Sequence, residues 1–336
     1  KRSLHVYSSA KRGVFNTPWV VALLIIAFTF IVFSPSLKDG FTNWDDLDYV
    51  LENRMVMADS IPVGQIFHTA VSLNYHPLTI LSLALNYQVG KLDPFGYHLI
   101  NVIFHLLNTL LTFIFIYFLT KRNLIMAAIV SLFFGIHPMH VESVTWISER
   151  NDVLYVFFLL SGLICYIEYR SSNKILWYFS AFVLFVLSCL SKGMAVIFPV
   201  LLVLIDYSQH TKFSIKTVFE KIPFFLIGLG FGLIAFTIQD RGGVTVAMHN
   251  FSTFQRIMFA SYGLIIYMVK LFIPYKLAAF HPYPLINKSD VLPRIFYIYP
   301  FIVICVVAVI YFFFRKERSV VFGLLFYVAT VAMVIQ

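Results

Sequence analysis

Asn43-Trp44-Asp45-Asp46, with Asp48 two residues on, puts three carboxylates into four positions. Adjacent carboxylates repel, so one of Asp45 and Asp46 is expected to hold its proton more tightly than usual. Such a carboxylate beside an acceptor hydroxyl serves as a general base. The same residues also suit a helix start, where acidic side chains accept from free backbone N–H groups and complement the helix dipole. On residue types alone both readings stand.

A second polar stretch runs from Gly135 to Ser143 and resumes over Trp146–Asp152. His137 and His140, with Glu142 close by, have a spacing that metal ligands use. A lone H-x-x-H is weak, and the preferred reading is a hydrogen-bonded cluster lining a cavity, with Glu149 part of it. His-Pro occurs at His76-Pro77, His137-Pro138 and His281-Pro282, each time at an expected helix end. Proline marks helix ends on local grounds, yet three such histidines on one side fit a shared substrate cavity. Arg150, Lys192 and Arg241 are isolated bases beside apolar blocks. They suit the phosphate of a lipid-linked donor; the alternative is snorkelling to the interface.

The elements that must position these groups are apolar. Of 336 residues, 60% are hydrophobic and 12% charged, against about 25% charged in a soluble domain. Mean hydropathy is +0.84. A soluble enzyme, a disordered chain and a disulfide-rich secreted module are excluded. Cys165, Cys189 and Cys305 lie far apart inside apolar blocks, which indicates neither a disulfide frame nor a zinc site. Apolar blocks at 17–34, 97–119, 123–138, 152–169, 175–190, 193–207, 222–239, 253–273, 296–314 and 319–336 approach the ~20 residues that cross a ~30 Å core as helix. The fold class is therefore an all-α polytopic integral membrane protein with about ten transmembrane helices. The first block reads as a retained span, because no A-x-A-like cleavage site follows it. A start at Lys1 and an abrupt stop at Gln336 read as a segment of a longer chain.

Bases after alternate blocks (Lys1, Arg2, Lys11 and Arg12; Lys121 and Arg122; Arg170 and Lys174; Lys212, Lys216 and Lys221) mark a cytoplasmic side. Residues 34–96, 139–151, 191–192 and 240–252 then face outward. Arg315, Lys316 and Arg318 break the alternation unless 253–273 is re-entrant or interfacial, with 274–295 outside. Residues 34–95 hold seven acids and three bases, a net of −4, and the rest of the chain carries +13. That asymmetry is topological. No basic run interleaved with aromatics points to nucleic acid, and no phosphate loop points to a soluble nucleotide. Helices are expected over Trp44–Glu52 and Ser60–Leu73, with an interfacial helix over 77–89.

Phe41-Thr42-Asn43-Trp44-Asp45-Asp46, Tyr75-His76-Pro77-Leu78-Thr79, Pro94–Asn101, His137–Val144, Trp146-Ile147-Ser148-Glu149-Arg150 and Leu190–Ala195, taken in order, resemble the membrane part of TMTC-type protein O-mannosyltransferases. The resemblance covers about residues 35–285. It implies a GT-C-type bundle, one domain over 1–336, with 34–96 as the outer catalytic loop. The family normally continues into TPR repeats, which this sequence does not contain. The implied donor is a sugar on polyprenyl or dolichyl phosphate, and the implied acceptor a protein Ser or Thr. The implied membrane is the endoplasmic reticulum or a bacterial inner membrane, with chemistry on the lumenal or outer face. By the resemblance Asp45 and Asp46 match the diacidic motif, and no cofactor is firmly implied; a divalent metal is not favoured. The competing readings are a transporter or flippase, for which two similar halves are expected, and a non-catalytic membrane scaffold.

Overall fold

The computed structural model describes residues 17–211, 214–243, 251–278 and 291–335. Among these the architecture is helical, with a single isolated bridge between Val71 and Asn74. The helices are α1 (Pro18–Phe33), α2 (Val63–His68), α3 (Pro77–Gly90), α4 (Pro94–Leu119), α5 (Leu124–Ile136), α6 (Val141–Thr145) and α7 (Arg150–Ser172). They continue as α8 (Ile175–Ser191), α9 (Phe198–Ser208), α10 (Ile215–Phe219), α11 (Ile222–Arg241), α12 (Thr253–Phe272), α13 (Ile298–Val309) and α14 (Arg318–Ala332). Local chemistry sets several starts. Pro94 is pre-shaped for a first turn, and the Asp93 carboxylate caps the Phe95 N–H at 3.1 Å. Asn123 does the same for Met126.

Each of the ten apolar blocks falls on a helix, but not all are full spans. Five segments are long and apolar enough to cross a membrane: Pro18–Lys38, Pro94–Leu119, Arg150–Ser172, Ile215–Arg241 and Arg294–Phe314. A sixth is Leu124–Ile136 with Pro138–Thr145, bent by 49°. Ile175–Ser191, Gly193–Ser208 and Arg318–Ala332 are shorter apolar helices. Large apolar side chains on α1, α11 and α13 face outward, among them Leu23, Phe236 and Phe301. That is how a helix surface looks when lipid, not water, is its solvent. The protein is a multi-pass helical membrane protein.

Helix α7 packs on α4 and α8, α4 on α1 and α5, and α9 on α14. Phe185, Phe198 and Phe224 join α8, α9 and α11, with Phe185 stacked on Phe198 at 4.9 Å. Gly162 of α7 lies under this group. A Cβ there would meet the Phe198 ring at 2.9 Å, so the close helix contact requires glycine.

Two ends can be distinguished. The basic end gathers Lys121, Arg122 and Arg170 with the C-terminus of α9, where Arg318 donates to the Tyr207 carbonyl at 3.2 Å. Arg318 thus sits with the other cytoplasmic-type bases. The loop end is covered by residues 39–90, which bury an apolar core: Tyr49, Val50, Ile66, Ile80 and Leu83, with Tyr97 of α4 and Ile147. The interfacial helix expected over 77–89 is present as α3. The two other expected helices are curtailed. Trp44–Glu52 yields one wide turn, Leu47–Leu51. Ser60–Leu73 yields only α2, because the chain becomes extended at Thr69 (φ −117°, ψ 137°) and then turns back at Ser72 and Leu73, whose φ angles are 46° and 60°.

Candidate active site

Asp46 and Asp45 have different surroundings. The Asp46 carboxylate is fully buried. Its Oδ2 accepts from the N–H and the hydroxyl of Thr42 at 2.8 and 3.1 Å, and its Oδ1 from the Ser148 N–H at 2.9 Å. It clasps the 42–46 loop to the segment that leads into α7. The side chain is not a helix cap: Asp46 precedes the turn Leu47–Leu51 without bonding to it. Asp45 is exposed. Partial burial, then the charges of Asp48 and Asp46, raise its pKa above the usual carboxylate range. Asp48 is held by the Ser72 hydroxyl at 2.7 Å.

Next to this loop lies a cavity of about 1080 Å³, a size suited to a drug-sized or larger ligand. Asn43 and Trp44 form one wall, Glu142 and Trp146 another, and Tyr267 and Lys270 of α12 a third. The Trp44 and Trp146 rings lie 5.6 Å apart, and the buried Trp146 Nε1–H has no hydrogen-bond partner.

The expected cations are engaged elsewhere. Arg150 is completely buried. Its Nη1 donates to Ser82 at 2.8 Å and to Asn86 at 2.9 Å, its Nη2 to the Tyr97 carbonyl at 2.8 Å, and its Nε to Asn101. It staples α3, α4 and α7 together, so the expectation of a donor-phosphate contact at Arg150 is corrected. Lys192 is 2.6 Å from Asp152 and 3.3 Å from Glu149. Burial alone lowers a lysine pKa, but these two carboxylates more than offset it and raise Lys192. Glu149 is pushed up by burial, opposed by Lys192 and reinforced by Asp152. Arg241 is exposed at the end of α11, near Leu73, and is not in the cavity wall.

The histidines also scatter. His76 is buried and stacked on Tyr49 at 5.1 Å; burial, then Lys192, lowers its pKa to about 4. His137 hydrogen-bonds through Nε2 to the Leu271 carbonyl at 2.9 Å, and its Nδ1 accepts from the Met139 N–H at 3.2 Å. With both nitrogens used, it is no half of a metal pair; the His140 ring lies 6.5 Å away and packs on Phe134 at 4.6 Å. Of the expected cavity set, Glu142 lines the cavity. Glu149 belongs to the Lys192 cluster, His76, His137 and His140 lie outside the lining, and His281 falls outside the described residues. Sequence reasoning passed over Lys270 and Tyr267, which α12 brings to the cavity wall.

A family profile described as dolichyl-phosphate-mannose-protein mannosyltransferase matches residues 45–239. The mouse "Protein O-mannosyl-transferase TMTC3" is 32% identical over 166 residues, covering 46% of this chain and 18% of that protein. The human protein of the same name is 30% identical over 190 residues, covering 52% and 20%. "Protein O-mannosyl-transferase F38B6.6" of Caenorhabditis elegans is 29% identical over 228 residues, covering 62% and 31%. The chain thus spans between about a fifth and a third of the length of these relatives. No solved structure matches it.

Proposed function

The chain belongs to the dolichyl-phosphate-mannose-protein mannosyltransferase family, and from that premise we propose that it transfers a sugar, mannose foremost, from a polyprenyl or dolichyl phosphate to a protein Ser or Thr hydroxyl. Asp45 is the general base. It takes the hydroxyl proton while the oxygen attacks C1 of the sugar from the side opposite the phosphate. The C1–O bond breaks and the lipid phosphate leaves with the electron pair, so the anomeric centre inverts. A retaining double displacement needs a second carboxylate about 5–5.5 Å from the first as nucleophile; the neighbouring Asp46 spends both oxygens on Thr42 and Ser148. The single observation that carries this reading is the contrast at the diacid: one buried clasp, and one exposed carboxylate of raised pKa beside the cavity wall.

The loop end is proposed to face the lumen of the endoplasmic reticulum or the outside of a bacterial inner membrane. The reading includes a GT-C-type bundle, in which the shorter apolar helices count with the full spans. No metal takes part in the proposed step, so chelation with EDTA is expected to leave transfer intact.

The test is a transfer assay with a panel of polyprenyl-phosphate-linked sugars, read by the intact mass of acceptor proteins. Wild type adds one hexose from one member of the panel, and Asp45→Asn, folded and inserted, adds none. Full activity in Asp45→Asn overturns the assignment of the base. Flux of a lipid-linked substrate across vesicles without any sugar-transfer product would favour the flippase reading instead.

A further inference from the structure

We infer that a second cavity, at the basic end, binds the phosphate of an anionic phospholipid from the adjoining leaflet, with Lys121 and Arg122 as its ligands. The cavity measures about 540 Å³ and lies between the ends of α4, α7 and α9, at the far end of α7 from the acidic loop. That volume accommodates a headgroup. The inference is independent of the transferase reading. The walls are set without a ligand. Gln209 donates to the Leu119 carbonyl at 3.2 Å, which ties the end of α9 to the end of α4. Arg170, also in the wall, is fixed to Asp206 and Glu220. Lys121 and Arg122 are the cations of this wall whose side chains have no partner among the described residues.

The backbone under these two residues is unusual. At the end of α4 the Arg122 N–H donates to the Tyr117 carbonyl at 2.7 Å and the Lys121 N–H to the Phe118 carbonyl at 3.2 Å. That closing pattern takes a left-handed residue, most often glycine. Here Lys121 and Arg122 both adopt left-handed φ angles, 54° and 71°. Two long cations thus occupy positions that glycine fills without strain. Positive charge that serves orientation alone works at any position of the loop. These two stand where a side chain is costly, and strain of this kind gathers at binding sites.

Charge and surroundings choose the ligand. The acid of the wall, Glu168, accepts only a long bond from Ser171 at 3.4 Å. Two free cations against one carboxylate leave a single positive charge, and a phosphate diester headgroup carries a single negative one. Phe118 and Ile167 complete the wall. Next to it, Ile125 and Met126 at the start of α5 and Leu176 and Phe179 at the start of α8 are exposed and apolar, a surface for acyl chains. That surface favours a lipid over a soluble phosphate, and basic cavities between spanning helices hold headgroups in this way.

The probe is phosphatidylglycerol in nanodiscs, with net-neutral phosphatidylcholine as the comparison, and the lipid retained by the purified chain is counted by native mass spectrometry. Wild type is expected to retain phosphatidylglycerol in preference to phosphatidylcholine. Lys121→Gly and Arg122→Gly should each weaken that preference by about 10-fold or more, the scale of a lost charge-assisted hydrogen bond. Their melting temperature in lipid-free detergent should not fall, because glycine suits the left-handed turn. Lys121→Arg keeps the preference. Glu168→Gln should strengthen it by about 2–5-fold, since the acid opposes the anion, a change that no loss of folding can mimic. Equal retention of the two lipids by wild type overturns the inference. So does an unchanged preference in both glycine variants, which would leave the pair as topological charges only. Inorganic phosphate that stabilises the chain as well as phosphatidylglycerol does, through the same two residues, overturns it too and makes the site one for a soluble anion.

Discussion

At one end of α7, Glu149 and Asp152 share a single lysine, Lys192. At the other end, Arg170 of the same helix meets Asp206 at 3.4 Å and Glu220 at 3.0 Å. Lys221 also pairs with Asp206, and Tyr166 and Tyr169 donate to Asp206 and Glu220 at 3.0 and 2.8 Å. The basic end has three cations to two carboxylates, since Lys216 also reaches Glu220 at 3.8 Å, and its carboxylate oxygens are met by phenols and bases, although Arg170 Nε meets Asp206 only at ion-pair distance. The loop end is short of cations. It has two carboxylates to one ammonium, the further acids Asp45 and Glu142 nearby, and unpartnered buried atoms at His76 Nε2, Trp146 Nε1 and Ser148 Oγ. Buried polar networks that are satisfied hold a fold, and incomplete ones cost stability. The helix about 34 Å long between the two ends therefore separates a well-paired anchor from a region whose buried polar atoms are less completely paired.

The sharpest way to break that contrast is to cross the two ends. Asp45→Asn should lower transfer by about 10²–10⁴-fold, the usual share of a general base, with the melting temperature unmoved. Asp206→Ala should do the reverse, destabilising the chain by about 3–5 kcal/mol, because it strands the buried Lys221 ammonium and leaves Arg170 with Glu220 alone, while kcat per folded molecule holds. A comparable drop in kcat for both would erase the distinction. Next in size, Arg150→Lys should cost ~2 kcal/mol, since an ammonium does not reproduce a fork bonded to Ser82, Asn86, Asn101 and Tyr97; thermal unfolding in detergent checks it. Lys192→Met should cost less, ~1 kcal/mol, because its ion pairs are partly exposed, and a loss as large as that of Asp206→Ala would show the loop-end cluster to be an equal anchor. Smallest is the effect of Asp48→Asn. The charge of Asp48 helps to raise Asp45, and transfer needs Asp45 deprotonated, so activity rises with pH through the Asp45 pKa. Removing that charge should move this acidic limb to lower pH by less than about one unit. A limb that stays put would mean that burial and the charge of Asp46 set it.

Much of this was legible in the sequence, for physical reasons that also mark where legibility stopped. Apolar blocks announce helices because a chain in lipid has to satisfy its backbone internally, and each of the ten blocks is found on one. The diacid and the polar ends of the helices stood out because charge is rare here. What the sequence hid was pairing. Arg150 finds Ser82, Asn86 and Asn101, and Lys192 finds Glu149, through contacts between residues 43 to 68 positions apart. No local pattern shows that a cation will be spent inside the fold, which is why Arg150 was read as a phosphate ligand. The helices expected after Trp44 and Ser60 come out shorter because the extended backbone at Thr69 and the clasp at Asp46 override local propensity.

That clasp also bears on how the protein can be divided. Because the Asp46 carboxylate joins Thr42 to Ser148, the acidic loop and the approach to α7 form one module although a hundred residues of chain separate them. A chimaera that exchanges residues 39–52 with those of a relative keeps the fastening only if the incoming segment carries an acid at position 46, because the group it holds at position 148 is a backbone N–H that any residue but proline supplies.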